Sequence, residues 1–285
     1  MKIFKRIKIV ALALLFSIGM SGVFVSAATI VNLGTTTSFA ILSGAGITNT
    51  GPTTVTGDIG SFPTTTETGF GSITLNGVNH AGDGVTQNAK TDLVTAYNNA
   101  AGQGPTIPIV ADLGNQILTP GVYNSASSIG LTGTVVLNGG GDPDAVFMFQ
   151  AGSTLTTASS SIVQLTNGTQ ACNVYWQIGS SATLGTNSTF KGNLFALISI
   201  TLTTGATVDG RVLARNGAVT LDSNTIIRPT CTTPKVIKVT KVPGLPNTGI
   251  APQDENINLQ WMMLIIPTAV LVSISTYYVI RRLHK

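Results

Sequence analysis

A Thr-Leu pair recurs four times in the second half of the chain: Thr154-Leu155, Thr183-Leu184, Thr201-Leu202 and Thr220-Leu221. The leucines are 29, 18 and 19 residues apart. A bulky apolar segment precedes each pair, for instance Ala145–Phe149, Val174–Ile178 and Leu194–Ile198. A third short segment follows each pair: Ser161–Val163, Ser188–Phe190, Ala206–Val208 and Thr225–Ile227. Three short strands per repeat, repeated in tandem, are the pattern of a stacked three-sided β-solenoid. The longer step fits a coil with an inserted turn at Thr166–Cys172. Side chains alternate along a strand, so Leu155, Leu184, Leu202 and Leu221 are expected to point inward. Two outward columns follow on that alignment: Thr154, Thr183, Thr201 and Thr220, then Thr156, Gly185, Thr203 and Asp222. The segments before the pairs are apolar on both faces, which predicts a side covered by another element.

The natural cover is the one stretch with helical periodicity, Asp83–Ala101. Val85, Ala89, Leu93, Ala96, Tyr97 and Ala100 recur at three- and four-residue steps and form one apolar stripe. Gly102 and Gly104-Pro105 end it. Residues 61–82 are Gly- and Thr-rich and weakly patterned, and read as a cap or loop. Residues 28–229 are long enough for one all-β domain with its own core.

The two ends are of another character. Lys2, Lys5, Arg6 and Lys8 precede an apolar run, and Val25-Ser26-Ala27 offers a cleavage site. Residues 1–27 therefore read as a secretory signal peptide. Trp261–Ile280 contains no charged residue and has the length of a membrane-crossing helix. Arg281, Arg282 and Lys285 follow it and place the C-terminus in the cytoplasm. These ends carry much of the positive charge. Residues 28–229 hold five basic residues against nine acidic ones, which argues against nucleic acid as a partner. Cys172 and Cys231 are the two cysteines, and an exported chain permits a disulfide between them; two free thiols are the alternative.

Leu245-Pro246-Asn247-Thr248-Gly249 resembles the LPxTG motif of proteins coupled to peptidoglycan by sortase. Motif, apolar span and basic tail occur in the order that such signals use. The resemblance implies cleavage after Thr248, wall attachment, and display at the surface of a Gram-positive-type bacterium. Residues 230–244 are then a linker. The polar spacer 250–260, with Asp254 and Glu255, departs from the usual pattern and leaves a plain membrane anchor as the alternative.

The domain itself resembles the microbial ice-binding proteins. The matching text runs through Ser38–Leu42, Ala45–Thr48, Val55–Gly60, Ala96–Gly102, Leu118–Tyr123, Ala145–Gln150, Asn173–Gly179, Asp209–Ala214 and Ala218–Leu221. That covers nearly all of residues 28–229. The resemblance implies a discontinuous, triangular, right-handed β-solenoid with one long α-helix alongside. It also implies that the first strands share coils with the last, and that one flat side binds ice. The Thr-Leu side is the match, extended by Thr48, Thr56, Gly130 and Thr132. Gly185 and Asp222 interrupt the array of hydroxyls and methyls and point to a weaker or differently selective face.

An enzyme is not expected. Charged residues are 9% of the chain, and its histidines are His80 and His284. Asp142 and Asp144 lie in a Gly-Gly-Gly-Asp-Pro-Asp turn and read as loop-shaping residues, not as a paired acid and base. No cofactor and no metal is expected. The expected partners are ice, a sortase, peptidoglycan and the membrane. The competing reading is a surface adhesin or structural module that grips a glycan or another solid through the same side.

Overall fold

Val, Ile and Thr favour the half-buried pleated surface of a strand. The computed structural model, which describes residues 28–232, forms nineteen strands from them in one continuous parallel system. The signal peptide, the sorting motif Leu245–Gly249, the spacer, the span 261–280, the tail and nearly all of the linker lie outside the described residues. No helix among the described residues is long and apolar enough to cross a membrane.

The strands pair in three ladders, one per side. On the first, Tyr123, Phe149, Trp176, Leu194, Val212, Ile41 and Ile59 are successive partners, coil upon coil. All seven are buried, and the aromatic members stack. Phe149 lies 5.4 Å from Tyr123 and 4.0 Å from Trp176, ring centre to ring centre.

The order of that ladder carries the discontinuity. After Val212, near the end of the domain, comes Ile41, near its beginning. The first strands do not share coils with the last ones. They stack beyond them as two further coils: Phe39–Thr50 with Thr53–Thr56, then Asp58–Thr68 with Ile73–Asn76. Residues 61–82, expected as a cap or loop, thus contribute strand over much of their length. Thr-rich sequence suits a strand whether or not it alternates, and the missing alternation reflects register shifts between Ser43 and Ile47 against the outer coil.

The helix spans Gly84–Ala101, and the Asp83 carboxylate caps it by accepting from the Thr86 amide at 2.9 Å. Ala89, Leu93, Ala96, Tyr97 and Ala100 are buried as expected. Val85 is 44% exposed and leaves the stripe, while Thr86 and Lys90 join it. The buried face is turned by the polar contacts it makes with the solenoid. Lys90 Nζ donates to the Ala214 carbonyl at 2.8 Å and to that of Arg215. The Tyr97 hydroxyl donates to the Ile178 carbonyl at 3.1 Å and accepts from Gln177 Nε2 at 2.7 Å. Gln150 Nε2 donates to the Ala100 carbonyl at 2.8 Å, one of the helix-end acceptors that lack an intrahelical partner. Between these contacts Val122, Met148, Tyr175, Phe195, Leu213 and Leu42 form a second apolar layer under the helix. Over these residues the helix covers this side of the solenoid.

The two cysteines are bonded, with Cα atoms 5.7 Å apart, so the free-thiol alternative does not hold. The bridge ties the end of the domain to the start of the Val174–Ile178 strand.

Candidate functional site

Two sides of the solenoid face solvent, and they differ in chemistry. One is built from Thr134–Asn138, Ile162–Thr166, the first halves of Thr189–Ala196 and Thr207–Ala214, Thr225–Ile227, Thr53–Thr56 and Ile73–Asn76. It carries Gln164, the exposed Ile162 and Ile227, and an ion pair between Lys191 and Asp209 at 3.0 Å. Long, branched and charged groups make it uneven.

The other is the Thr-Leu side. Its strands are Ile129–Leu131, Leu155–Thr157, Ala182–Leu184, Ile200–Leu202 and Val219–Asp222, continued by residues 47–50 and 67–68. The register yields one outward column: Gly130, Thr156, Thr183, Thr201, Thr220, Thr48 and Thr68. Coils stack at roughly 4.8 Å, so the column is a line of Thr side chains at that repeat. Ile129, Leu155, Ala182, Ile200, Val219 and Ile47 point inward behind it and are buried.

This register corrects the sequence alignment at its first member. Leu155 pairs with Ala182, two residues before Leu184, and Thr156 pairs with Thr183. Thr154 therefore leaves the central column and falls level with Ser128 and Ser181. Its hydroxyl lies 2.8 Å from that of Ser128. The inserted turn in the longer repeat takes up two residues fewer than the Thr-Leu match assumed. Thr56 is the second correction. It pairs with Ile227 and Asn76 on the uneven side, because the turn at Gly51-Pro52 has already begun the next side of the coil. Thr68 was missed, since it lies in the stretch read as a cap.

The flanking column runs through Thr132, Ala158, Gly185, Thr203, Asp222 and Thr50. Gly185, Thr203, Asp222 and Thr132 stand where they were expected, and Ala158 takes the place assigned to Thr156. Gly185 is a requirement of the packing: a Cβ there would lie 2.5 Å from the Ala158 carbonyl carbon and 2.5 Å from the Thr157 carbonyl oxygen. Its amide donates to the buried Thr157 hydroxyl at 2.9 Å. Asp222 is bound by hydroxyls, accepting from Thr204 at 2.5 Å and from Ser223 at 3.0 Å. At the far end Asp112 accepts from the Thr132 amide at 2.9 Å. The Thr132 hydroxyl, and then the Gly114 and Thr132 amides, hold its carboxyl below the ordinary range against the opposing effect of burial.

The hydroxyls divide by column. Thr154 and Thr203 in the flanks bond within the protein, the latter to the Leu184 carbonyl at 2.8 Å. The hydroxyls of Thr156, Thr183, Thr201, Thr220, Thr48 and Thr68 bond to no described residue, so their hydrogen bonds go to whatever lies above the surface. Thr is held in few χ1 rotamers, so the column is ordered in advance. No charged residue stands in it.

Among the described residues no group of three His, Cys, Asp or Glu could hold a metal ion. Asp142 accepts from the Asp144 amide at 2.9 Å and shapes its turn. The described solenoid presents one side whose central column is uncharged and hydroxyl-bearing, with Asp222 in the flanking column and Asp112 at one end.

That architecture is one of known proteins. The ice-binding-like family matches residues 41–227, and the chain belongs to it. An ice-binding protein of Nostoc sp. (strain HG1) is 49% identical over 211 residues, covering 73% of this chain and 78% of that one. The crystal structure of an ice-binding protein from an Antarctic biological consortium is 44% identical with a TM-score of 0.71, covering 74% of this chain and 96% of that one. One from the Antarctic ascomycete Antarctomyces psychrotrophicus is 40% identical with a TM-score of 0.68, covering 71% and 100%.

Proposed function

We propose that this chain is an ice-binding protein of the cell surface and that it adsorbs to ice through the Thr-Leu side. The observation that carries the reading is the central column, six Thr and one Gly in unbroken register with every hydroxyl unclaimed by the described protein. A repeat of roughly 4.8 Å along the stack and roughly 6.6 Å across it can hold water in a fixed array. The methyl groups restrain that water from the protein side. Relatives named as ice-binding proteins support the same function. The family solenoid is taken to be right-handed here as well.

The anchoring is part of the proposal. A signal peptide exports the chain, and the span Trp261–Ile280 holds it in the membrane. A sortase cysteine then attacks the Thr248 carbonyl, the Thr248–Gly249 amide breaks, and the Gly249 amine leaves with the span. An amine of the wall precursor displaces the cysteine and receives Thr248. The support is the order of motif, span and basic tail in the sequence.

Ice crystals grown in the purified 28–244 fragment test the function. Faceted growth or suppressed recrystallisation is expected. Unshaped crystals at high protein concentration would sink the reading and favour a grip on a glycan or another solid.

A further inference from the structure

Arg211 and Arg228 converge on one acceptor, the Thr37 carbonyl. Arg211 Nη2 donates to it at 2.7 Å and Arg228 Nη1 at 3.1 Å. The two guanidinium groups thus lie within the combined length of those bonds. Arg211 Nη1 is held by Asn193 Oδ1 at 2.8 Å, and the residue is 4% exposed. The Nε atoms of both arginines are buried and have no hydrogen-bond partner among the described residues. No carboxylate of the described residues pairs with either. The ion pairs among the described residues join His80 to Asp58 and Asp83, and Lys191 to Asp209. Burial first, and then the charge of Arg228, lower Arg211 to about 10, which leaves it cationic at neutral pH. Arg211 is thus a buried cation with the half-buried Arg228 beside it and no counter-ion among the described residues, which is a costly arrangement that the fold keeps.

They border a cleft of about 600 Å³ between the first and last described segments of the chain. Its walls include Ile30, Leu33, Tyr175 and Pro229. That volume is in the range of small-ligand sites. Ile30 and Thr230, one on each rim, take no part in backbone hydrogen bonds among the described residues. A guanidinium pair selects a carboxylate, the apolar walls suit a small side chain, and free backbone on both rims suits a peptide.

We propose that this cleft binds the C-terminal carboxylate of a short peptide with a small apolar last residue. The arginine pair holds the carboxylate, and the Ile30 and Thr230 rims pair with the peptide backbone. The site lies on the helix-side ladder of Tyr175 and Arg211, and so is separate from the Thr-Leu side.

The test uses the full chain in detergent and two probes, N-acetyl-Ala-Ala and its C-terminal amide, titrated while the Ile30 and Thr230 amide resonances are followed. Saturable shifts are expected with the acid, and binding at least about tenfold weaker with the amide. Arg228→Gln should weaken the acid by about tenfold with its unfolding temperature near that of the parent, since Arg211 still holds the Thr37 carbonyl. Arg228→Lys should recover part of that loss. Equal binding of acid and amide, or an Arg228→Gln protein that binds like the parent, would overturn the proposal. So would acetate or inorganic phosphate binding as tightly as the peptide acid.

Discussion

Thr201 stands in the middle of the outward column, with Thr183 below and Thr220 above it in register. Replacing it by Tyr puts a phenol ring above the level of the methyls. Neighbouring coils are roughly 4.8 Å away on either side, so the ring holds a flat crystal off Thr183 and Thr220 as well. Three of the column's six Thr lose contact. At about 0.5–1 kcal/mol per surface hydroxyl, that removes roughly 1.5–3 kcal/mol, a fall of about ten- to a hundredfold in adsorption. Stability should hardly move. The Thr201 side chain points outward, bonds to no described residue, and Tyr suits a strand, so a change within about 0.5 kcal/mol is expected. Recrystallisation inhibition measured against concentration, alongside thermal unfolding, separates the two effects. A Thr201→Tyr protein that inhibits at the parent's concentration with the parent's unfolding temperature would show that another surface meets the ice.

Gly185→Ala should destabilise by about 1–3 kcal/mol, because the added methyl meets backbone of the coil below at 2.5 Å; denaturant unfolding reads this, and an unchanged midpoint refutes the close approach. Lys90 is lowered to about 8 by burial and then by the Arg215 charge. Its folded value lies below its unfolded one, so the unfolded chain binds more protons between the two, and stability should rise from pH 8 toward pH 10 and be flat in this respect below 8. Lys90→Met should abolish that rise in unfolding temperature, and a rise that persists assigns it elsewhere. Thr248→Ala should move the protein from the wall fraction to the membrane fraction of the producing cell, and unchanged wall attachment removes the sortase proposal.

Much of this molecule is legible because a solenoid repeats its own instructions. The inward leucines, the apolar strands beneath the helix and the helix itself each follow from local pattern and chemistry. What local pattern leaves out is pairing. Thr154 and Thr156 are equally plausible outward residues next to Leu155, and only the length taken up by the inserted turn decides which of them meets Thr183. Thr56 is misplaced for a related reason: a Gly-Pro turn marks the end of one side without saying which side comes next. Thr68 sits among hydroxyls with no leucine beside it, so nothing in its neighbourhood separates strand from loop. Lys90 is the opposite case. A charged residue on a helix is expected in water, and the carbonyls of Ala214 and Arg215 that draw it inward lie more than a hundred residues away. The arginine cleft escapes notice likewise, since Thr37, Arg211 and Arg228 meet only after the chain's ends are stacked.

That stacking sets a schedule for assembly. A chain emerges from the ribosome N-terminus first, so Phe39–Thr50 and Thr53–Thr56 appear long before Val219–Asp222 and Thr225–Ile227, the strands they pair with. Until then their edges have no partner in that direction. Contacts of such long sequence separation form late and leave strand edges open to unwanted pairing while they wait. Thr48 and Thr68 join the column only once the last coil has formed beneath them. A truncated or stalled chain therefore carries a shortened face however well its middle has folded, and the complete array certifies that the whole domain has been made.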